Sequence, residues 1–504
     1  MQQFITNHIV RLKLFAIILF LHSTTPIYGQ LITYRAPDCN LRSRDYLVKV
    51  REAGGAWRTV DLYHATIGHT VGTRTRPEKT SFGYFDCDGK VEVEVCGKSV
   101  IKAVRIRPIG YNIVPVVKGT KVFFTMSGRQ NVSVEVNGDI FGNLQLFANP
   151  IDHNIISAKD TGVVYFGPGI HHINQMAVPS GKTVYIAGGA VVQGSFMISH
   201  AENIRICGHG ILTQLEPDLE TPAKQIADLP ATRKARNEDI VINFSRNVKV
   251  DGLIVLPHKY SVLIGSSKNV QISNFKSFSA EGNADGIDVF CSEDVNIDHI
   301  FMRNSDDCVA IYGHRWNYFG NTRNIKVSEA TLWADVAHPI LVGTHGDTAH
   351  PDTLEKMNFS NISILDQNEN QLDYQGCLAL NAGDGNLIRN ITFENIGIDS
   401  IRKGQLINLR VMYNHKYNTS PGRGIHDVLF KNITFRGITV PPSLIAGYDD
   451  HRDIKNIVFE NLRLGNMVIS DNMPEKPGFY QTADMANMFI GEHVDGVKFI
   501  RSGE

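Results

Sequence analysis

The chain has almost no net charge: 50 basic against 51 acidic residues leave -1 over 504 residues. No overall basic surface exists to neutralise a phosphate backbone, which argues against a nucleic-acid partner. Long apolar runs are missing too. The run Leu14 to Leu21 is about eight residues, where roughly twenty are needed to span a bilayer. It follows Arg11 and Lys13 and precedes small and polar residues up to Gly29. That order predicts a secretory signal peptide over 1–29, no membrane anchor after its cleavage, and a secreted or periplasmic chain. Cysteine is scarce, with seven residues and no CxxC pair or Cys/His cluster at zinc spacing. Export permits a disulfide between Cys87 and either Cys96 or Cys39. Cys207, Cys291, Cys308 and Cys377 read as small buried apolar residues. Also missing is any helical periodicity of useful length. Gly188-Gly189 and Gly208-His209-Gly210 are therefore tight corners and not a phosphate loop, since no helix follows to offer its N-terminus. No cofactor is expected.

What is present is β structure of two textures. Residues 30–155 contain short alternating strands, such as Tyr46 to Val50, Lys90 to Val95 and Val132 to Val136, between Gly, Asp and Pro turns. This predicts a small N-terminal β-sandwich. From 156 to 504 a phrase recurs, Asn or Asp, aliphatic, any residue, aliphatic, beginning at Asn203, Asn247, Asn269, Asp294, Asn324, Asn390 and Asn456. Counting looser copies at Met357 and Asp427 and one interval of two rungs, a strand repeating about every 22 to 37 residues without a crossover helix predicts a right-handed parallel β-helix. The leading Asn suits a turn, where it bonds to the backbone and tolerates left-handed conformation. The fold class is thus all-β: a sandwich, then a β-helix.

Asp285 lies in EGNADGIDVF, and Asp306 and Asp307 lie in RNSDDCVAIY, one coil later. Coils stack about 4.8 Å apart, so these carboxylates share a face. A single Asp in such a phrase would be a turn residue, and Asp288 and Asp294 read that way. Two acidic clusters one coil apart read as chemistry. Like charges at close range raise the pKa of one carboxyl and leave another ionised, giving an acid and a base. His338 arrives on the following coil. Three carboxylates also approach a calcium site, although calcium takes about six to eight oxygens.

These phrases resemble the polygalacturonase-like glycoside hydrolases, family 28, of the pectin-lyase-like fold. Their N-T-D-G motif corresponds to Asn283 to Gly286, D-D-C-[VIL]-A to Asp306 to Ala310, and H-G-x-S-[IV]-G-S to His338 to Thr344. The resemblance implies Asp306 as the general acid and Asp285 and Asp307 as the pair that activates water, with inversion. It implies His338 as a support for the acid or a substrate contact. Asn283 and His345 are further candidate sugar contacts, and Trp316 or Tyr318 either stacks on a sugar or packs in the core. The N-terminal half is also similar to dextranase-type family 49 enzymes, which cleave a neutral glucan.

One departure bears on the substrate. The family's R-I-K motif, whose cations pair with a uronate, falls at Gly376 to Asn381, which holds no cation. Arg402, Lys403 and Arg410 come a coil later. The expected partner is therefore a polysaccharide that is neutral at the catalytic subsite. A lyase would need a basic residue such as Arg303 or His314 to take the proton, and a non-catalytic glycan binder would leave the converging Asp residues without a purpose.

Overall fold

The computed structural model describes residues 30–503 apart from 73, 154–155 and 215–237. The expected signal peptide lies outside the described residues. Two sheets account for the described strands. The first has ten strands from Leu31–Thr33 to Leu144–Asn149, mostly antiparallel. Its alternating valines, among them Val48, Val50, Val91, Val93, Val132 and Val134, face one another in a core of their own. Cys39, Cys87 and Cys96 are all unpaired, contrary to the expected staple. Cys87 ends one strand and Cys96 lies at the far end of the next, Lys90–Gly97, so at about 3.3 Å per residue they stand far apart.

From Val163 the chain winds into a parallel β-helix whose strands pair from coil to coil. Strand Ile287–Phe290 pairs with Val309–Tyr312, that strand with Ile340–Gly343, and that one with Leu378–Ala382. Ile287, Val289, Val309, Ile311, Ile340 and Val342 point inward and are fully buried in one continuous apolar core. The intervening side chains form the outer face of the same sheet, where the site lies. Inside, Phe359, Phe393, Phe430, Phe459 and Phe499 stack in a column with ring centroids 4.8 to 4.9 Å apart, the coil spacing itself. At the corner, Asn203, Asn247, Asn269, Asp294, Asn324, Asn390 and Asn456 all take positive φ between 54° and 59°. Their side chains bond along the stack, as Asn269 to Asn247 (2.7 Å) and Asn324 to Asp294 (2.9 Å). The left-handed conformation expected of these residues is what is seen, but they lie near the starts of strands and not in separate turns, Asp294 within Glu293–Asp298.

The N-terminal sheet docks on the β-helix through a second, aromatic face. Phe82 stacks on Phe278 and Phe147 meets Phe301 (5.4 and 5.1 Å between centroids). Arg303, fully buried, pairs with Asp335 (2.8 Å) and donates across the junction to the Ile140 carbonyl (2.9 Å) and Asn143 (3.1 Å). Trp333 lies between the guanidinium groups of Arg303 and Arg107 (3.8 and 4.3 Å). The hairpin of Arg58–Val71 and Arg74–Cys87 reaches the coil of the acid pair: a Cβ on Gly68 would stand 3.0 Å from that of Ser305.

Candidate active site

The carboxylates converge because the turns that carry them stack as regularly as the strands. The Gly286 N–H bonds to the Asp307 carbonyl, and the Cys308 N–H to the His338 carbonyl, both at 2.8 Å. Gly286 has to be glycine, since a Cβ there would fall 2.2 Å from the Cys308 carbonyl oxygen. Cys308 turns inward to anchor its turn in the core. One oxygen from each of Asp285, Asp306 and Asp307 then lies within 4.8 Å of the others. A point among these three oxygens is no more than about 2.8 Å from each, a hydrogen-bonding distance for a water oxygen.

The three carboxyls are held differently. Asp307 accepts the His338 N–H (3.0 Å), contacts His338 Nδ1 (2.7 Å) and accepts the Tyr312 hydroxyl (3.1 Å). His338 Nε2 faces the Tyr374 carbonyl at 2.7 Å. Burial works against a charged ring, but the charge and hydrogen bond of Asp307 outweigh it and raise the His338 pKa. With acceptors at both ring nitrogens, the imidazolium is the form that satisfies them. Asp306 is half-buried at the mouth of the turn and accepts the Asn283 N–H at 2.9 Å. Burial and the neighbouring Asp307 charge push its pKa up to about 7, while the Asn283 hydrogen bond and His338 pull the other way. The site thus places a protonated carboxyl beside a carboxylate fixed by three donors, which can give a proton on one side and order water on the other.

Asp306 carries a stability cost that can be measured. Its folded pKa lies above the unfolded 3.8, so its contribution is fully present below about pH 4 and is lost as pH rises through about 7. Asp306→Asn, uncharged throughout, is expected to unfold several degrees above the wild type at pH 8 and to match it at pH 3.5. A melting difference that does not change with pH would show that Asp306 does not titrate in this way.

His338 joins the cluster as expected. Asn283 does so through its backbone, with its residue at φ 56°. His345 does not: its ring lies 5.1 Å from Tyr312 and 6.4 Å from Tyr417, and burial followed by Arg315 holds its pKa well below 6.5. It is a neutral wall of the groove. Trp316 lies over Phe290 at 5.2 Å. Tyr318 packs in the protein, fully buried above Gly265, where a Cβ would fall 2.3 Å from its ring. The lyase candidates are engaged elsewhere: Arg303 in the domain junction, and His314 Nδ1 against the Tyr318 carbonyl at 2.6 Å.

Asp288 requires a correction. It occupies no turn but the strand Ile287–Phe290, fully buried on the groove side between inward Ile287 and Val289. Among the described residues no N–H or hydroxyl donor reaches its oxygens; the group it meets is the Asp285 carboxyl, a hydrogen bond that needs one of the two protonated. Burial raises its pKa and that of Asp285 well above 3.8; the neighbouring carboxylates add to this and Arg315 opposes it. The alternation I-D-V-F carried the signal. Tyr312 could be found the same way, two residues beyond Ala310. Tyr374 could not, because it enters from a short turn, Leu372–Tyr374, within an irregular connection.

The coil beyond His338 presents Ala379 and Asn381 to the groove, at the positions paired with Leu341 and Gly343. The cations that could stand in are occupied. Arg402 pairs with Asp366 and with Asp335 (3.0 Å). Lys403 bonds to Asn370 (2.7 Å), and Arg410 donates to the Asp373 carbonyl (3.1 Å).

The sequence profile of glycosyl hydrolases family 28 matches residues 190–464. A probable endopolygalacturonase D of Neosartorya fischeri is 23% identical over 189 residues, 36% of this chain and 35% of that protein. The chain spans less than half the length of the curated relatives it matches. Among solved structures, Dex49A from Penicillium minioluteum superposes with a TM-score of 0.53 at 13% identity, over 91% of this chain and 96% of that one. The family 28 exopolygalacturonase of Yersinia enterocolitica gives 0.50 at 15% identity, over 83% and 97%. At these identities the likeness is one of fold. The profile match extends over more than half of the chain and includes every coil that carries the clustered carboxylates, and on that ground the chain belongs to glycosyl hydrolases family 28.

Proposed function

We propose that the chain is an exported enzyme that hydrolyses a glycosidic bond in a polysaccharide with inversion, its catalytic centre in the β-helix of residues 156–504. The observation that carries this reading is the convergence of Asp285, Asp306 and Asp307, one oxygen of each lying within 4.8 Å of the others. Asp306 protonates the leaving oxygen. Asp285 and Asp307 hold the water and take its proton, and His338 fixes Asp307. The facing oxygens are closer than the roughly 6.5 to 9.5 Å separation of most inverting enzymes and nearer the roughly 5 to 5.5 Å of retaining ones. Asp307 nevertheless has both oxygens engaged, by His338 and Tyr312, and makes a poor covalent nucleophile. Export rests on the pattern of residues 1–29. The sugar over Ala379 and Asn381 is neutral, because a buried carboxylate without a cation costs several kcal/mol.

The stereochemistry decides between the mechanisms. Product NMR in the first minutes of reaction, on whichever glycan of a broad panel releases reducing ends, is expected to show the inverted anomer first. Retention would transfer Asp285 to the role of nucleophile.

A further inference from the structure

We infer that Arg315 is a specificity-determining residue that binds the carboxylate of an acidic sugar on the Asp288 side of the acid pair. The inference rests on the proposed glycan-cleaving site and adds to it the charge of one subsite. Arg315 lies in the connection between Val309–Tyr312 and Thr322–Ser328. That connection folds back over the coils that precede its own. Trp316 lies against Phe290, and Tyr318 is seated over Gly265 and stacked on Phe290 (5.9 Å). Residue 315 is pinned by reciprocal backbone hydrogen bonds with Tyr318 (3.2 and 3.0 Å). Its guanidinium stands 4.7 Å from the Trp316 ring.

Every other arginine near the groove has a carboxylate or carbonyl partner. Arg315 has none among the described residues, and its Nε is buried and unbonded. It acts on Asp285, Asp288 and His345 through space, yet forms an ion pair with none of them. A guanidinium fixed beside an indole, with donors unused, is the arrangement that takes a carboxylate in a fork while the ring covers a sugar face. It also counters the field of the aspartates, which would otherwise repel an acidic sugar. On the opposite side of the acid pair the guanidinium nearest Ala379 and Asn381 is that of Arg410, paired with Asn381 on the next coil, and one of its donors is taken by the Asp373 carbonyl (3.1 Å). The substrate class is a polysaccharide that carries a uronate on the Arg315 side of the scissile bond and a neutral sugar on the other.

The test uses the full chain carrying Asp306→Asn, so that ligands survive, and calorimetry with disaccharides of one uronic acid and one neutral sugar and with their methyl esters. Adding Arg315→Gln is expected to weaken binding of the free acids by about 10- to 100-fold, the range of a charge-assisted pair, and to leave the esters within about twofold. Arg315→Lys, which keeps the charge without the fork, should fall between and serves if the Gln variant does not fold. Equal losses on acids and esters, no loss on either, or no binding of the acids to the Arg315 chain would each overturn the inference. Failure of the parent reading is separate: the chain with Asp306 intact would bind these ligands, with the same dependence on Arg315, and cleave no glycan.

Discussion

Asp306→Asn is expected to lower turnover by about 10² to 10⁴, the range for loss of a general acid, while the fold is kept. An ordinary surface aspartate is ionised at neutral pH and has no proton to give; burial and the Asp307 charge move Asp306 to about 7, so a large fraction remains protonated there. The rate of the wild type should fall as pH rises through about 7, because the acid is then lost. In Asp306→Asn that limb of the profile should vanish along with most of the rate. Substrates with good leaving groups, which need little protonation, should lose far less than the natural polymer. Near-normal turnover on the polymer would remove Asp306 from the role.

How much of this site was legible from sequence depends on which side chains obey the coil period. Asp285 and Asp307 fall at the same point of successive coils with Asp306 beside them, so spacing brought the acids together, whereas His338, on a longer coil, was legible through the order of the motifs it shares with the family it resembles. The leading asparagines were legible because one backbone conformation recurs at every corner. Asp288 was misread because its neighbours N-A-D-G look like a turn, and the strand begins only at Ile287. Arg315 and Tyr374 were missed for a different reason. They enter the groove from connections of irregular length, and only the way Tyr318 packs on Gly265, or His338 on Tyr374, fixes where those connections lie. The docking of the N-terminal sheet was also illegible: its aromatic face alternates like any buried strand face, and nothing in the sequence names the partner surface.

That junction leads to the second large expectation. Arg303→Met is expected to destabilise the protein by about 3 kcal/mol, at the lower end of the roughly 3 to 5 kcal/mol for breaking a buried ion pair. Asp335 is left fully buried, although Arg402 still contacts it at 3.0 Å and moderates the loss. The Ile140 carbonyl loses the Arg303 donor at the same time, and Asn143 Oδ1 loses one of three, keeping those of Thr80 and Gln145. Arg303 stands three residues before Asp306 on the same coil, so the damage should reach the site by loosening the turn. Hydrogen exchange is the suitable measurement, because a chain of this size need not unfold in one step. Faster exchange is expected in Phe301–Asn304 and Thr331–Ala334, with remote coils near Asp453–Glu460 unchanged. Uniform acceleration over the whole β-helix, or none, would show that the ion pair does not hold this junction.

The column of phenylalanines repeats at 4.8 to 4.9 Å, and the outer face of the sheet repeats with it. A strand that repeats at this interval presents an equivalent outer position on every coil, so the groove is a periodic surface. On the proposed function, a chain of identical sugars would meet like positions at each coil, and the irregular connections, such as the one that carries Arg315, would set where that periodic surface is closed off.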